Sequence, residues 1–285
     1  MRKVSSVSAG IVTGILLLGV TLSTTGCDKL KSRDDINKGI AAFKNAKYGD
    51  AVELFKQAAA LDPDNPNARL YLATSYMSQW IPGAESPENL QFAQMARDEF
   101  LKVLEKDDKN TTALASLASL SYNQASSLTG DQKVAKFDEA AKWYKKLIEA
   151  DPKNKEAYYS LGVIAWAKWY PALMTARAEL RMKPEDPGPV KDKKVKDELK
   201  EKYSAMVDDG IANLQKALDL DKEYDDAMAY MNLLIRERAD LVDNPDDYKK
   251  QIEVADSWVQ KALDTKKLKA SRQPTTGGIV QDSKQ

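Results

Sequence analysis

Ala51-Val52-Glu53-Leu54-Phe55-Lys56-Gln57-Ala58-Ala59-Ala60-Leu61-Asp62-Pro63 is one of two stretches whose comparison decides the fold; the other is Ala140-Ala141-Lys142-Trp143-Tyr144-Lys145-Lys146-Leu147-Ile148-Glu149-Ala150-Asp151-Pro152. Each places a small residue, an aromatic and a small or apolar residue at intervals of four and three: Ala51, Phe55 and Ala58, then Ala140, Tyr144 and Leu147. Those intervals put all three on one helical face. The small residue lets a neighbouring helix approach, and the aromatic fills the space beside it. The Asp-Pro step ends the helix, because proline disfavours helical geometry at the residue before it.

The same face recurs along the chain. A first copy has Gly39, Ala51, Phe55, Ala58 and Pro63, with Asp35, Lys38 and Ala42 where larger residues would be expected. A second has Leu72, Ala73 and Tyr76, then Ala96, Phe100 and Val103, with Asp108 in place of the proline. The third has Leu114, Leu117 and Ala118, then Ala140, Tyr144, Leu147 and Pro152. The fourth has Tyr158, Leu161 and Gly162, then Gly210, Leu214 and Ala217; the fifth has Met228, Met231 and Ile235, then Ala255, Val259 and Ala262. This series resembles the tetratricopeptide repeat, W-x2-L-G-x2-Y followed by A-x3-F and P over about 34 residues. The resemblance implies an all-α, right-handed solenoid of about five helix pairs with a concave face that binds other proteins. The repeats would occupy 34–65, 66–110, 111–154, 155–224 and 225–264, and residues 265–285, rich in Lys and then in Ser, Pro, Thr and Gly, read as a disordered tail.

The chain departs from the family at one point of the repeat. The Tyr and Ala positions of a tight repeat lie nine residues apart, as from Ala42 to Ala51. Tyr76 to Ala96 is 20 residues, Ser121 to Ala140 is 19, Ile235 to Ala255 is 20 and Ala165 to Gly210 is 45. The shorter insertions are expected to lengthen both helices of a pair, and all four to project from one edge, a candidate functional surface. The long one predicts a protruding helical hairpin. Its first helix would run through Trp166, Trp169 and Tyr170, kink at Pro171 and end near Met182. A breaker, Lys183-Pro184-Glu185-Asp186-Pro187-Gly188-Pro189, then precedes a charged helix from about Lys191 to Leu220 with a solvated outer face.

At the N-terminus, Arg2 and Lys3 precede an apolar run from Ile11 to Val20, and no further charge occurs until Asp28. That is the layout of an export signal, here residues 1–26. Thr24-Thr25-Gly26-Cys27 resembles a bacterial lipobox, which implies lipid attachment at Cys27 and a membrane-anchored protein facing the periplasm. Thr24 stands where the family prefers leucine, which here is Leu22, so an ordinary signal peptide or an uncleaved anchor is the alternative. Residues 27–33 would form a short extended tether of at most about 20 Å before a helix near Asp34.

Acidic and basic residues balance at 43 each, and the chain contains no histidine. An even balance gives no field for gathering nucleic acid. Without histidine the commonest general base and metal ligand are missing. No phosphate loop, dinucleotide fingerprint, nucleophile elbow or CxxC pair occurs. The expectation is no catalytic residue, no cofactor and no metal. The resemblance places the groove on first-helix positions that include Leu70, Thr74, Met77, Ser119, Val163, Leu233 and Glu237. The candidate partner-binding residues are Tyr122, Asn123, Tyr159, Trp166, Trp169 and Arg236, and the partners would be envelope proteins or peptide segments. A small-ligand or glycan carrier using Trp166, Trp169 and Tyr170 as a stacking platform is the competing expectation.

Overall fold

The computed structural model describes residues 10–272, with side chains from residue 26 onward. The calls on Arg2, Lys3 and residues 273–285 lie outside the described residues. The described residues form ten α-helices and one 3-10 turn, with no strand among them. In chain order these are α1 (Gly10–Lys44), α2 (Tyr48–Leu61), α3 (Pro66–Gln79), α4 (Pro87–Lys106) and α5 (Thr111–Ala125). They continue as α6 (Gly130–Ala150), α7 (Lys155–Glu179), α8 (Lys193–Leu220), α9 (Asp225–Arg238), the 3-10 turn Ala239–Leu241, and α10 (Pro245–Arg272). The described residues divide into two compact units with the boundary inside α6, between Trp143 and Tyr144.

In the first unit, α1 pairs with α2 and α3 with α4, while α2 also packs on α3 and α4 on α5. Ala51, Phe55 and Ala58 have no exposed surface, and neither do Ala96, Phe100 and Val103. A side chain at Gly39 would come within 2.5 Å of the Phe55 ring, so the approach of α1 to α2 depends on that glycine. The α3–α4 connection is fastened by Asn89, whose Nδ2 donates to the carbonyls of Ile81 and Ala84, both at 2.8 Å.

In the second unit, α7 pairs with α8 and α9 with α10, and α8 packs on α9. The close approach recurs at Gly162, where an added Cβ would meet Leu214 Cγ at 2.4 Å. The junctions before α3, α5 and α7 share one device. The N–H groups of Asn65, Asn110 and Asn154 donate to the carbonyls of Asp62, Asp107 and Asp151. The same asparagines then cap α3, α5 and α7 through their side chains. An asparagine here satisfies a helix-end donor that would otherwise be orphaned.

The structure changes several expectations. The extra length is not shared between the helices of a pair. The first helices α3, α5 and α9 keep 14, 15 and 14 residues, while α4, α6, α8 and α10 grow to 20, 21, 28 and 28 against 14 in α2. Among the pairs that carry an insertion, α7, with 25 residues, is the one lengthened first helix, and it continues through Pro171. Residues 27–33 are helical as part of α1, not an extended tether, because Ser32 is already buried and its hydroxyl donates to the Ala58 carbonyl at 2.9 Å. At the other end α10 runs to Arg272, past the expected boundary at 264, held to the start of α9 by Lys269 on Asp225 and Arg272 on Glu223. No described helix is long and apolar enough to cross a membrane.

Candidate functional site

The long α7–α8 hairpin does not project freely. Arg177, near the end of α7, is only 3% exposed, and its Nη1 donates to Asp240 Oδ2 at 2.6 Å. Its Nη2 donates to the carbonyls of Lys183 at 2.8 Å and Asp186 at 2.5 Å. Val190 N–H donates to the Asp240 carbonyl, and Gly188 N–H to the Tyr248 hydroxyl. Lys196 of α8, expected on a solvated face, is buried and donates to the Val242 carbonyl at 3.1 Å. Thus the 180–192 connection is drawn onto the 3-10 turn and the start of α10. Such a guanidinium supplies a planar fork of donors, which suits it to several acceptors at once.

This closure leaves a cleft of about 400 Å³, whose walls include Tyr170, Met174, Arg177, Asp186, Arg236, Glu237 and Tyr248. A continuous row of aromatic rings on α7, on α9 and at the residue before α9 leads to it. Tyr224 lies 5.0 Å from Tyr159, Tyr159 is 5.7 Å from Tyr230, Tyr230 is 5.5 Å from Trp166, and Trp166 stacks on Tyr170 at 5.1 Å between centroids. Offset and edge-to-face contacts at these separations are favourable for aromatic pairs. Tyr170 is 36% exposed, while Tyr159, Trp166 and Tyr230 are half-buried. At the cleft end of the row, Trp166 Nε1 donates to Glu237 Oε1 at 2.9 Å.

The charges respond to this setting. Burial pushes the Glu237 carboxyl up to about 7, against the Trp166 hydrogen bond that favours its ionised form; the negative Asp240 adds to the rise. Glu237 Oε2 is buried without a protein partner. Burial likewise raises Asp240, with the Arg177 guanidinium pulling the other way. Tyr224 is pushed to about 12 by burial and by the neighbouring carboxylates of Glu156 and Asp226. The phenol therefore stays neutral.

The expected site residues scatter. Tyr159 and Trp166 belong to the aromatic row. Trp169 does not: it has no exposed surface and packs inside the second unit against Tyr203, 5.4 Å between centroids. The three-ring platform of Trp166, Trp169 and Tyr170 therefore does not form, because residues three apart on α7 fall on opposite sides of the line where α8 covers it. Val163, expected in the groove, is buried as well. Arg236 Nη2 donates to Asp256 at 2.5 Å and to Asn232 at 3.2 Å, at the mouth of the cleft. Tyr122 and Asn123 belong to the first unit. There the Tyr122 ring lies 5.6 Å from Phe137, and Asn123 donates to the Ser119 hydroxyl at 3.2 Å. Leu70, Thr74, Met77 and Leu233 are half-buried. Cys27 is exposed. Sequence reasoning missed Tyr224, Tyr230, Arg177 and Asp240; Tyr224 immediately precedes α9 and Tyr230 lies within it, whereas nothing local marks the ion pair. Among the described residues, no three Cys, Asp or Glu side chains are grouped so as to hold a metal ion.

Two segments match known repeat patterns: residues 42–79 match the tetratricopeptide repeat, and residues 136–168 match the TPR repeat. Among solved structures, the chain is similar in fold to a MamA RS-1 ArsTM double mutant, with 17% identity, a TM-score of 0.52, and coverage of 85% of this chain and 97% of that one. MamA 41-end from Desulfovibrio magneticus RS-1 is similar at 17% identity and a TM-score of 0.51, covering 84% of this chain and 96% of that one. At identities this low the likeness shows the fold, a tetratricopeptide-type stacking of helix pairs. No curated protein matches the chain by sequence.

Proposed function

We propose that this chain is a protein-binding adaptor of the cell envelope, held to a membrane by lipid on Cys27, whose second unit takes an extended segment of a partner along the α7 and α9 faces. The observation that carries the reading is the aromatic row from Tyr224 to Tyr170 ending at the Glu237 cleft. Half-exposed tyrosine and tryptophan offer large contact area at little conformational cost, as binding hot spots do. A carboxyl group at one end orients what binds. The partner segment is therefore expected to carry apolar or aromatic side chains along its length and a hydrogen-bond donor, such as a lysine or arginine head group, at the end entering the cleft. Tetratricopeptide repeats are protein-interaction modules, and the matched segments support that broad role.

Cys27 supports the anchor in its own way. It is exposed and lies five residues before Ser32, the first side chain of α1 packed on α2. At 1.5 Å per helical residue a lipid there would hold the repeats within about 10 Å of the headgroups.

The test is affinity capture of the membrane-extracted protein with identification of bound proteins by mass spectrometry, comparing wild type with Tyr159→Ala and Tyr170→Ala. Envelope proteins held by wild type and lost from both variants support the reading. If the same proteins remain with both variants, the aromatic row is not the contact. Intact-mass analysis of the Cys27 peptide checks the anchor separately: an unmodified cysteine removes it.

A further inference from the structure

Between Cys27 and Gly39, α1 has two unlike sides. Ser32, Asp35, Ile36 and Gly39 are buried; Ser32 donates to the Ala58 carbonyl of α2, and Gly39 lies against the Phe55 ring. Cys27, Leu30 and Arg33 recur every three residues on the opposite side, because successive helical residues turn by about 100°. All three are exposed, Leu30 by 67%. Lys29 and Lys31, also exposed, stand to either side of Leu30.

The cations of this side are not spent inside the chain. Its one acid, Asp34, is held by Lys38 at 2.6 Å, and Asp28 and Asp35 fall on the side of Ser32. Among the described residues, no carboxylate lies within ion-pair distance of Lys29, Lys31 or Arg33. Asp64 feels the charge of Lys29, but its ion-pair partner is Lys106, at 3.0 Å. The helix itself does not favour these cations either: in a chain processed at Cys27 they fall in the first two turns of α1, where the dipole favours acidic side chains. Unpaired cations around an exposed leucine suit an interface between water and lipid, the apolar group entering the headgroup layer and the charged groups meeting its phosphates.

We infer that this side of α1 is a docking surface for anionic lipid headgroups. The inference rests on the Cys27 anchor and adds to it. Lipid alone would leave α1 free to pivot about its first residue, whereas Lys29, Lys31 and Arg33 hold the start of the helix along the bilayer surface and favour an anionic bilayer over a neutral one.

The test uses the membrane-extracted protein reconstituted into vesicles of phosphatidylcholine, alone or mixed with phosphatidylglycerol. Leu30→Cys supplies a thiol for an environment-sensitive fluorophore, since lipid caps Cys27, the one native cysteine. Its emission is expected to shift to the blue on vesicles containing phosphatidylglycerol and not on phosphatidylcholine alone. High salt is expected to abolish the shift, and so is replacing the cations together by Lys29→Gln, Lys31→Gln and Arg33→Gln. In the native sequence, acetylation of Lys29 and Lys31 is expected to slow about fivefold on the anionic vesicles, measured by mass spectrometry against the exposed Lys194. Flotation with both kinds of vesicle reads the anchor by itself. A chain that floats with both, but shows the same emission and acetylation on each, overturns the inference and leaves the anchor standing. A blue shift that survives the three substitutions overturns it as well. A chain that floats with neither overturns the anchor and the inference with it.

Discussion

In the α1–α2 pair two helices meet at one close approach, Gly39 against the Phe55 ring, and α2 ends six residues later at Leu61. In the α7–α8 pair the same approach recurs at Gly162 and Leu214, but α7 runs on from Gly162 to Glu179, about 25 Å further at 1.5 Å per residue. Steric complementarity brings both pairs together. It cannot secure the far end of the longer one, where the connection between the helices would otherwise be loose. There the chain uses the buried Arg177–Asp240 pair, with the carbonyls of Lys183 and Asp186 completing the guanidinium's partners. Removing one partner of a buried pair leaves the other charge desolvated and alone, so a closure of this kind is more easily broken by mutation than an apolar one.

The largest expected effect follows from that difference. Arg177→Met should lower the unfolding free energy by about 3–5 kcal/mol, measured by urea denaturation, and adding Asp240→Leu should restore most of it. A small loss in the single variant would mean that the longer pair is secured as the short one is. Next comes the carboxyl beside the closure. Glu237 is raised from 4.5 to about 7, so its folded form retains a proton that the unfolded chain releases. Stability from this source is complete below about pH 4.5 and falls as pH rises through 7, by about 3 kcal/mol in all. Glu237→Gln should therefore stabilise the protein by up to about 3 kcal/mol at pH 8 and have little effect at pH 4; parallel stability curves for the two proteins would contradict this.

A smaller loss, about 1–3 kcal/mol, is expected for Gly162→Val, which forces a side chain into Leu214. Gly39→Val should cost a similar amount, because the approach is the feature the two pairs share. Unequal losses would sharpen the comparison by showing which core can yield. The smallest effect is at the surface. Asp34→Asn breaks the exposed pair with Lys38, whose side chains are 58% and 62% exposed, and should leave the melting temperature unchanged in a calorimetric scan.

The contrast also explains what could be read from sequence. Gly39, Phe55, Gly162 and Leu214 announce themselves because helix–helix packing imposes a fixed spacing on residue size. The lengthened second helices were less legible. A 20-residue gap from Tyr76 to Ala96 has the same length whether it is loop or helix, and the Ser86 cap on α4 decides between them. Arg177 and Asp240 lie 63 residues apart, and each resembles an ordinary solvated charge when seen alone. Trp166 and Trp169 could not be told apart either, since which flank of α7 is covered depends on where α8 passes. The aromatic row is half visible: Tyr159 and Trp166 stand out on α7, but their neighbours Tyr224 and Tyr230 come from the start of α9, about 60 residues further along the chain.

The fastening at Arg177 also determines how the chain is degraded. The connection between Glu179 and Lys193 contains Arg181 and Lys191, both exposed, which in a free loop would be ready sites for a trypsin-like protease. A protease must thread several consecutive residues through its cleft, and here the carbonyls of Lys183 and Asp186 and the N–H groups of Gly188 and Val190 are already engaged. Cleavage must wait for the ion pair to open, so the digestion rate at low protease concentration measures the free energy of that local opening.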